Sequence, residues 1–179
     1  MLNINKDTHM IEGIEFYESP NYDHRPSSVD IDTIIIHCIS LPRGEYNNNN
    51  IIDLFQNNLD ISKHESFSNL CDLKVSSHIL ITREGKVTQF VPFNYRAWHA
   101  GDSRYNNRKN FNDFSIGIEL EGTTDTEFTS EQYTSLNEVI VVLKSFYANI
   151  VSDNILGHSD IAPGRKTDPG DLFDWSKVK

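Results

Sequence analysis

The chain has 179 residues and a formal net charge of −10, from 16 Lys and Arg against 26 Asp and Glu. That length suits one domain, and the acidic balance excludes a nucleic-acid or anionic-membrane binder that works by bulk charge. Hydrophobic content of 37% with 10 Phe, 7 Tyr and 2 Trp excludes a disordered chain. Ile34–Ile36 and Val139–Leu143 fall far short of the roughly 18 apolar residues of a membrane span. Met1 to Met10 has no apolar stretch of the secretory-signal kind, and Cys38 and Cys71 do not make a disulfide framework. The expectation is a monomeric cytoplasmic protein with a single domain over residues 1–179.

In chain order, Thr33–Cys38 is β-branched and nearly all apolar, as in a strand covered on both faces. Asn47–Asn50 follows Pro42-Arg43-Gly44 and reads as a surface loop. Ile51–Leu59 reads as a short helix. Ser77–Thr82 and Val87–Val91 flank Arg83-Glu84-Gly85-Lys86 and predict a hairpin. Ser115–Leu120 predicts a further strand. Thr129-Ser130-Glu131-Gln132 fits a capping box, and Tyr133, Leu136, Ile140, Leu143 and Tyr147 recur at helical spacing, so a helix is expected over Ser130–Tyr147. Asn154–His158 is a short last strand. The fold class is α/β: a mixed central sheet flanked by helices, with parallel crossovers and one antiparallel hairpin.

In such sheets, ligands sit beyond the carboxyl ends of the strands. His37 ends the first predicted strand, Glu119 lies near the end of the fourth, and His158 ends the last. If these strands are parallel neighbours, three functional groups converge on one edge. Gly157 to Gly170 holds His158, Lys166 and Asp168 in a loop constrained by Pro163 and Pro169. His158 and Asp168 with a second histidine would give two nitrogens and one oxygen, a usual catalytic zinc set. The spacing alone is not diagnostic in a chain with seven histidines. Glu119 and Glu121 share one side of their strand by the two-residue period, with Ile118 and Leu120 on the other. From Arg96 to Lys109, four cations stand against Asp102, and Arg165 and Lys166 add two more. A basic rim in an acidic chain suits an anionic ligand, although a solvated loop face is the ordinary reading of such a run.

Several segments together resemble the zinc-dependent N-acetylmuramoyl-L-alanine amidases. They are Ile34-Ile35-Ile36-His37 with Ile39-Ser40-Leu41-Pro42, Val91-Pro92-Phe93, Ala97-Trp98-His99-Ala100-Gly101, Ser115 to Gly122, and Gly157-His158 through Lys166-Thr167-Asp168-Pro169-Gly170. The resemblance runs from about Tyr17 to Trp175. It is strongest to the branch that acts in the cytoplasm on 1,6-anhydro muropeptides during cell-wall recycling. It implies Zn2+ held by His37, His158 and Asp168, a catalytic Glu119, and Lys166 facing the oxyanion. It also implies substrate contacts at Trp98, Lys74, Arg108 and Ala162, with a small-molecule muropeptide as substrate. Where Cys38 stands the family commonly has Asn, and where Lys74 stands it has Arg, so two substrate contacts differ in chemistry. His99 and His78 keep two readings, a contact to the site and a packed imidazole. The alternatives are a metal-free peptidoglycan-recognition module and an amidase acting on intact cell wall.

Overall fold

Thr33 to Ile39 is the centre of the molecule because its side chains are apolar on both sides of the strand and can be covered by two layers. The computed structural model describes residues 2–178, so the end residues of the expected 1–179 span lie outside it. In chain order the elements are β1 (Glu15–Phe16), β2 (Tyr22–His24), β3 (Thr33–Ile39), α1 (Asn50–Phe55), β4 (Ile79–Ile81), β5 (Val87–Gln89), β6 (Tyr95–Ala97), β7 (Arg104–Tyr105), β8 (Arg108–Lys109), β9 (Ser115–Glu121), α2 (Ser130–Phe146), β10 (Ile155–Gly157) and α3 (His158–Ile161).

The main sheet has the order β1-β5-β4-β9-β3-β10. β4, β9, β3 and β10 run parallel, and β5 returns antiparallel to β4 as the predicted hairpin. It is the mixed sheet with helices that the hydrophobic pattern predicts. Ile34 and Ile36 of β3 and Ile116, Ile118 and Leu120 of β9 face one layer, where they pack on Leu136, Val139, Ile140 and Leu143 of α2. Each such fully buried aliphatic side chain contributes about 1.5–3 kcal/mol. Ile35 points to the opposite layer with Phe111, Phe114 and Ile161. By the same alternation His37 and Glu119 face away from α2.

The start of α2 is capped as the sequence predicts. Gln132 N–H donates to Thr129 Oγ1 at 3.1 Å, and Thr129 N–H donates to Gln132 Oε1 at 3.2 Å. The Gln132 amide is buried and also donates to the carbonyl of Glu121 at 2.9 Å, which ties α2 to the end of β9. α1 is shorter than the predicted Ile51–Leu59: it stops at Phe55 because Asn57 takes a left-handed conformation with φ 60°. β10 stops at Gly157, and His158 opens α3 rather than ending the strand.

Candidate metal centre and its cleft

Three parallel strands deliver the chemistry to one edge. His37 leaves β3, Glu119 lies beside it on β9, and His158 follows β10 directly. The segment after α3 then turns back: Ser159 N–H donates to the carbonyl of Asp168 at 2.9 Å, which returns the Asp168 side chain to His158. His37 Nδ1 and His158 Nδ1 stand 2.9 Å apart, and Asp168 Oδ2 lies 3.1 Å and 3.0 Å from them. These are close to the roughly 3.3 Å edges of a tetrahedron built on zinc bonds of about 2.0 Å.

The donor set suits a cation. His158 Nε2 faces the carbonyl of Ala100 at 3.1 Å, and a carbonyl only accepts, so the ring proton sits on Nε2 and Nδ1 is bare. Burial holds the His37 imidazole neutral and pushes its pKa down to about 4, against a smaller opposite effect of Asp168. Neutral imidazole nitrogens and a carboxylate oxygen crowded within about 3 Å repel one another unless a positive charge lies between them. Among the described residues, His37, His158 and Asp168 form the one such group.

A cleft of about 470 Å³ opens beside this group. Glu119, Lys166, Trp98, Lys74, Cys38 and His99 line it, together with an apolar wall that includes Leu41, Phe55, Leu70 and Leu73. Glu119 Oε2 is covered and has no hydrogen-bond partner among the described residues. Burial first, and then the negative charge of Asp168, hold its carboxyl well above the usual carboxylate range, while Lys166 opposes them. Glu121 differs. It is buried, and both its oxygens accept backbone N–H groups, from Asn47 at 3.1 Å and Arg83 at 3.0 Å. Glu121 therefore anchors the asparagine-rich loop to the sheet. Cys38 is half-buried, and burial pushes its thiol pKa upward, with Glu119 adding to the effect, so it is an un-ionised thiol on the cleft wall.

Not every residue singled out in the sequence reaches the cleft. Arg108 turns away from it: its guanidinium pairs with Asp32 at 2.9 Å and lies 3.7 Å over the Phe114 ring. Ala162 is buried and acts through its carbonyl, which accepts from Arg165 N–H and Lys166 N–H and turns the chain toward Asp168. The basic run from Arg96 to Lys109 is also not a rim for an anion. Arg96 is held by Asp23 and Asp113 at 2.6 Å each and Arg108 by Asp32, while Arg104 and Lys109 are exposed, and none of the four lines the cleft. The cations lining the cleft are Lys74, Arg165 and Lys166. His78 is a packed imidazole: Nδ1 accepts from Gly117 N–H at 3.0 Å, which leaves Nε2–H for the Tyr95 carbonyl at 3.1 Å.

Residues 27–171 match the family described as N-acetylmuramoyl-L-alanine amidase. The chain belongs to that amidase family. It is 47% identical over 160 residues to the 1,6-anhydro-N-acetylmuramyl-L-alanine amidase AmpD of Haemophilus influenzae, covering 89% of this chain and 87% of that protein. A crystal structure of a selenomethionine derivative of AmpD superposes with a TM-score of 0.94 at 43% identity, over 100% of both chains. The amidase AmiD of Escherichia coli, solved with the substrate anhydro-N-acetylmuramic acid-L-Ala-D-γ-Glu-L-Lys, matches at TM-score 0.59 and 29% identity, over 86% of this chain and 59% of that one.

Sequence reasoning passed over two residues that build this edge. Arg25 is a buried guanidinium that donates to the carbonyls of Phe93, Asn112, Asp113 and Ser115. Asn112 Oδ1 accepts the backbone N–H of both His99 and Ala100. Neither sits in a periodic segment, so no pattern in the sequence marks them.

Proposed function

We propose that this amidase hydrolyses the amide bond between the lactyl carbonyl of 1,6-anhydro-N-acetylmuramic acid and the amino group of L-alanine, with Zn2+ held by His37, His158 and Asp168. The observation that carries the reading is the meeting of those three ligand atoms with the unpartnered carboxyl of Glu119 in one cleft. Zinc held there supplies Lewis-acid chemistry, which acidifies a water and polarises a carbonyl. Glu119 takes the proton from the attacking water and later gives it to the leaving amine. Its raised pKa favours uptake of that proton, and general acid–base exchange of this kind is a usual role of a buried glutamate. Lys166 makes no ion pair among the described residues, and its ammonium serves the oxyanion. The Trp98 indole offers a face to the sugar ring, and Lys74 a positive charge to a stem-peptide carboxylate.

The whole chain, residues 1–179, acts as one amidase domain, as a monomer, in the cytoplasm. No described helix is long and apolar enough to cross a membrane, and the 47% identity to AmpD favours the soluble recycling substrate over intact wall. The test is mass-spectrometric assay of the purified protein with an anhydromuramyl-tripeptide, with zinc and after chelation. Free tripeptide released only with metal supports the reading. Tight binding without cleavage in both conditions contradicts it and points to a recognition module. Cleavage of intact peptidoglycan but not of the soluble muropeptide contradicts the substrate assignment.

A further inference from the structure

The far sides of the two ligand imidazoles meet one short segment. His37 Nε2 lies 2.9 Å from His99 Nδ1, and His158 Nε2 lies 3.1 Å from the carbonyl of the next residue, Ala100. The proton positions follow from what surrounds them. Ser115 Oγ donates its single hydrogen to the Phe111 carbonyl at 2.5 Å, so toward His99 Nε2, 3.3 Å away, it can only accept. His99 therefore carries its proton on Nε2 and presents a lone pair at Nδ1. That lone pair requires the His37 proton on Nε2, and His37 Nδ1 is left bare. At His158 the Ala100 carbonyl does the same in one step.

We propose that the adjacent residues His99 and Ala100 set the tautomers of both ligand imidazoles, so that the two Nδ1 lone pairs face Asp168 together. His99 is thus a positioning residue: it touches no reacting atom and acts through His37. The inference rests on the zinc reading above and adds to it the origin of the donor geometry. The segment is itself held from two sides. Asn112 Oδ1 accepts His99 N–H at 3.1 Å and Ala100 N–H at 2.7 Å, and Arg165 donates to the carbonyls of Ala100 and Asp102 at 2.6 Å. Space for the His99 ring is made by Gly117 on β9, where a Cβ would stand 2.5 Å from the ring carbon Cγ. A carbonyl or a neutral acceptor behind a metal-bound histidine fixes ring orientation and raises ligand basicity, and losing such a partner typically costs 10–100-fold in metal affinity.

The deciding comparison is between His99→Asn and His99→Leu, read as the zinc dissociation constant by competition with a chromogenic chelator. The Asn carbonyl oxygen occupies the place of Nδ1 and can accept from His37 Nε2–H, while Leu has the same size and no acceptor. The expected result is His99→Asn within about threefold of wild type and His99→Leu about 10–100-fold weaker. Equal weakening in both variants would assign His99 to packing alone and overturn the proposal, as would wild-type affinity in His99→Leu. Should His99→Leu fail to fold, long-range 1H–15N spectra of the zinc-loaded wild type decide the matter. Protons on Nε2 of both His37 and His158 support the proposal, and a proton on Nδ1 of either overturns it. Wild type that takes up no zinc would overturn the zinc reading and this inference with it, whereas tight wild-type binding with no effect of His99→Leu would overturn this inference alone.

Discussion

His37 and Glu119 are register partners on adjacent parallel strands. Both side chains point away from α2, so one sheet edge places an imidazole able to hold a metal beside a carboxyl that nothing else in the described chain satisfies. The arrangement separates two tasks: His37 with His158 and Asp168 can hold a cation, and Glu119 can carry a proton.

That separation is testable at Glu119. Glu119→Gln keeps the size and removes the proton acceptor, so it should bind zinc as wild type does while kcat falls by about 10²–10⁴-fold. Metal content and steady-state kinetics on the same preparation check this. A kcat within tenfold of wild type would move the proton transfer to another group, and Glu121 cannot take it while both its oxygens hold backbone N–H groups.

Lys166→Ala should lower kcat by roughly 10²–10³-fold with a smaller change in KM, as loss of a donor aimed at developing negative charge does. The split between kcat and KM distinguishes this from lost substrate binding. A pure KM effect would make Lys166 a ground-state contact.

Arg25→Met should destabilise the fold, although Arg25 itself does not line the cleft. It leaves the carbonyls of Phe93, Asn112, Asp113 and Ser115 without the guanidinium that now donates to them. Each buried carbonyl left unsatisfied costs about 1–3 kcal/mol, so a loss of at least about 3 kcal/mol is expected. Urea unfolding measures it, and an unchanged midpoint would contradict the account of how the segment from Tyr95 to Ser115 is held.

Acid should destabilise the metal-free protein through His78. Burial, and then the Arg25 charge, hold its pKa well below the ordinary histidine value of about 6.5. Below about 6.5 the unfolded chain takes a proton that the folded chain refuses, so unfolding free energy falls as pH drops through that value and is level above it. His78 alone contributes about 1.4 kcal/mol per pH unit in that range. Urea midpoints of wild type and His78→Asn, compared near pH 7.5 and pH 5.5, isolate it: wild type should lose more stability on acidification, and parallel losses would contradict the assignment.

The parts of this molecule that were legible in the sequence are those whose local pattern and tertiary role agree. Thr33 to Ile39 and Ser115 to Glu121 are strands by composition and buried by position, and the capping box at Thr129 is written in four residues. The convergence of His37, Glu119 and His158 followed from strand order, because parallel neighbours carry their last residues to one edge. The two-residue strands β1, β7 and β8 carry no period to read. The basic run misled because charge in a sequence carries no sign of its partners: Arg96 meets Asp23, and Arg108 meets Asp32, 76 positions away. His99 and His78 were equivalent as letters. Only the neighbours of each nitrogen, the Gly117 N–H for one and His37 for the other, separate a packed imidazole from one that serves the site.

The central claim is that one metal ion at His37, His158 and Asp168 drives amide hydrolysis. Zinc titrated into chelated protein, with turnover of an anhydromuramyl-tripeptide followed at each addition, tests it most directly. Activity should rise from near zero and level off at one equivalent, and His158→Ala should stay inactive across the titration while keeping its folded circular-dichroism spectrum. Full turnover in the chelated protein, or in His158→Ala, would contradict the account.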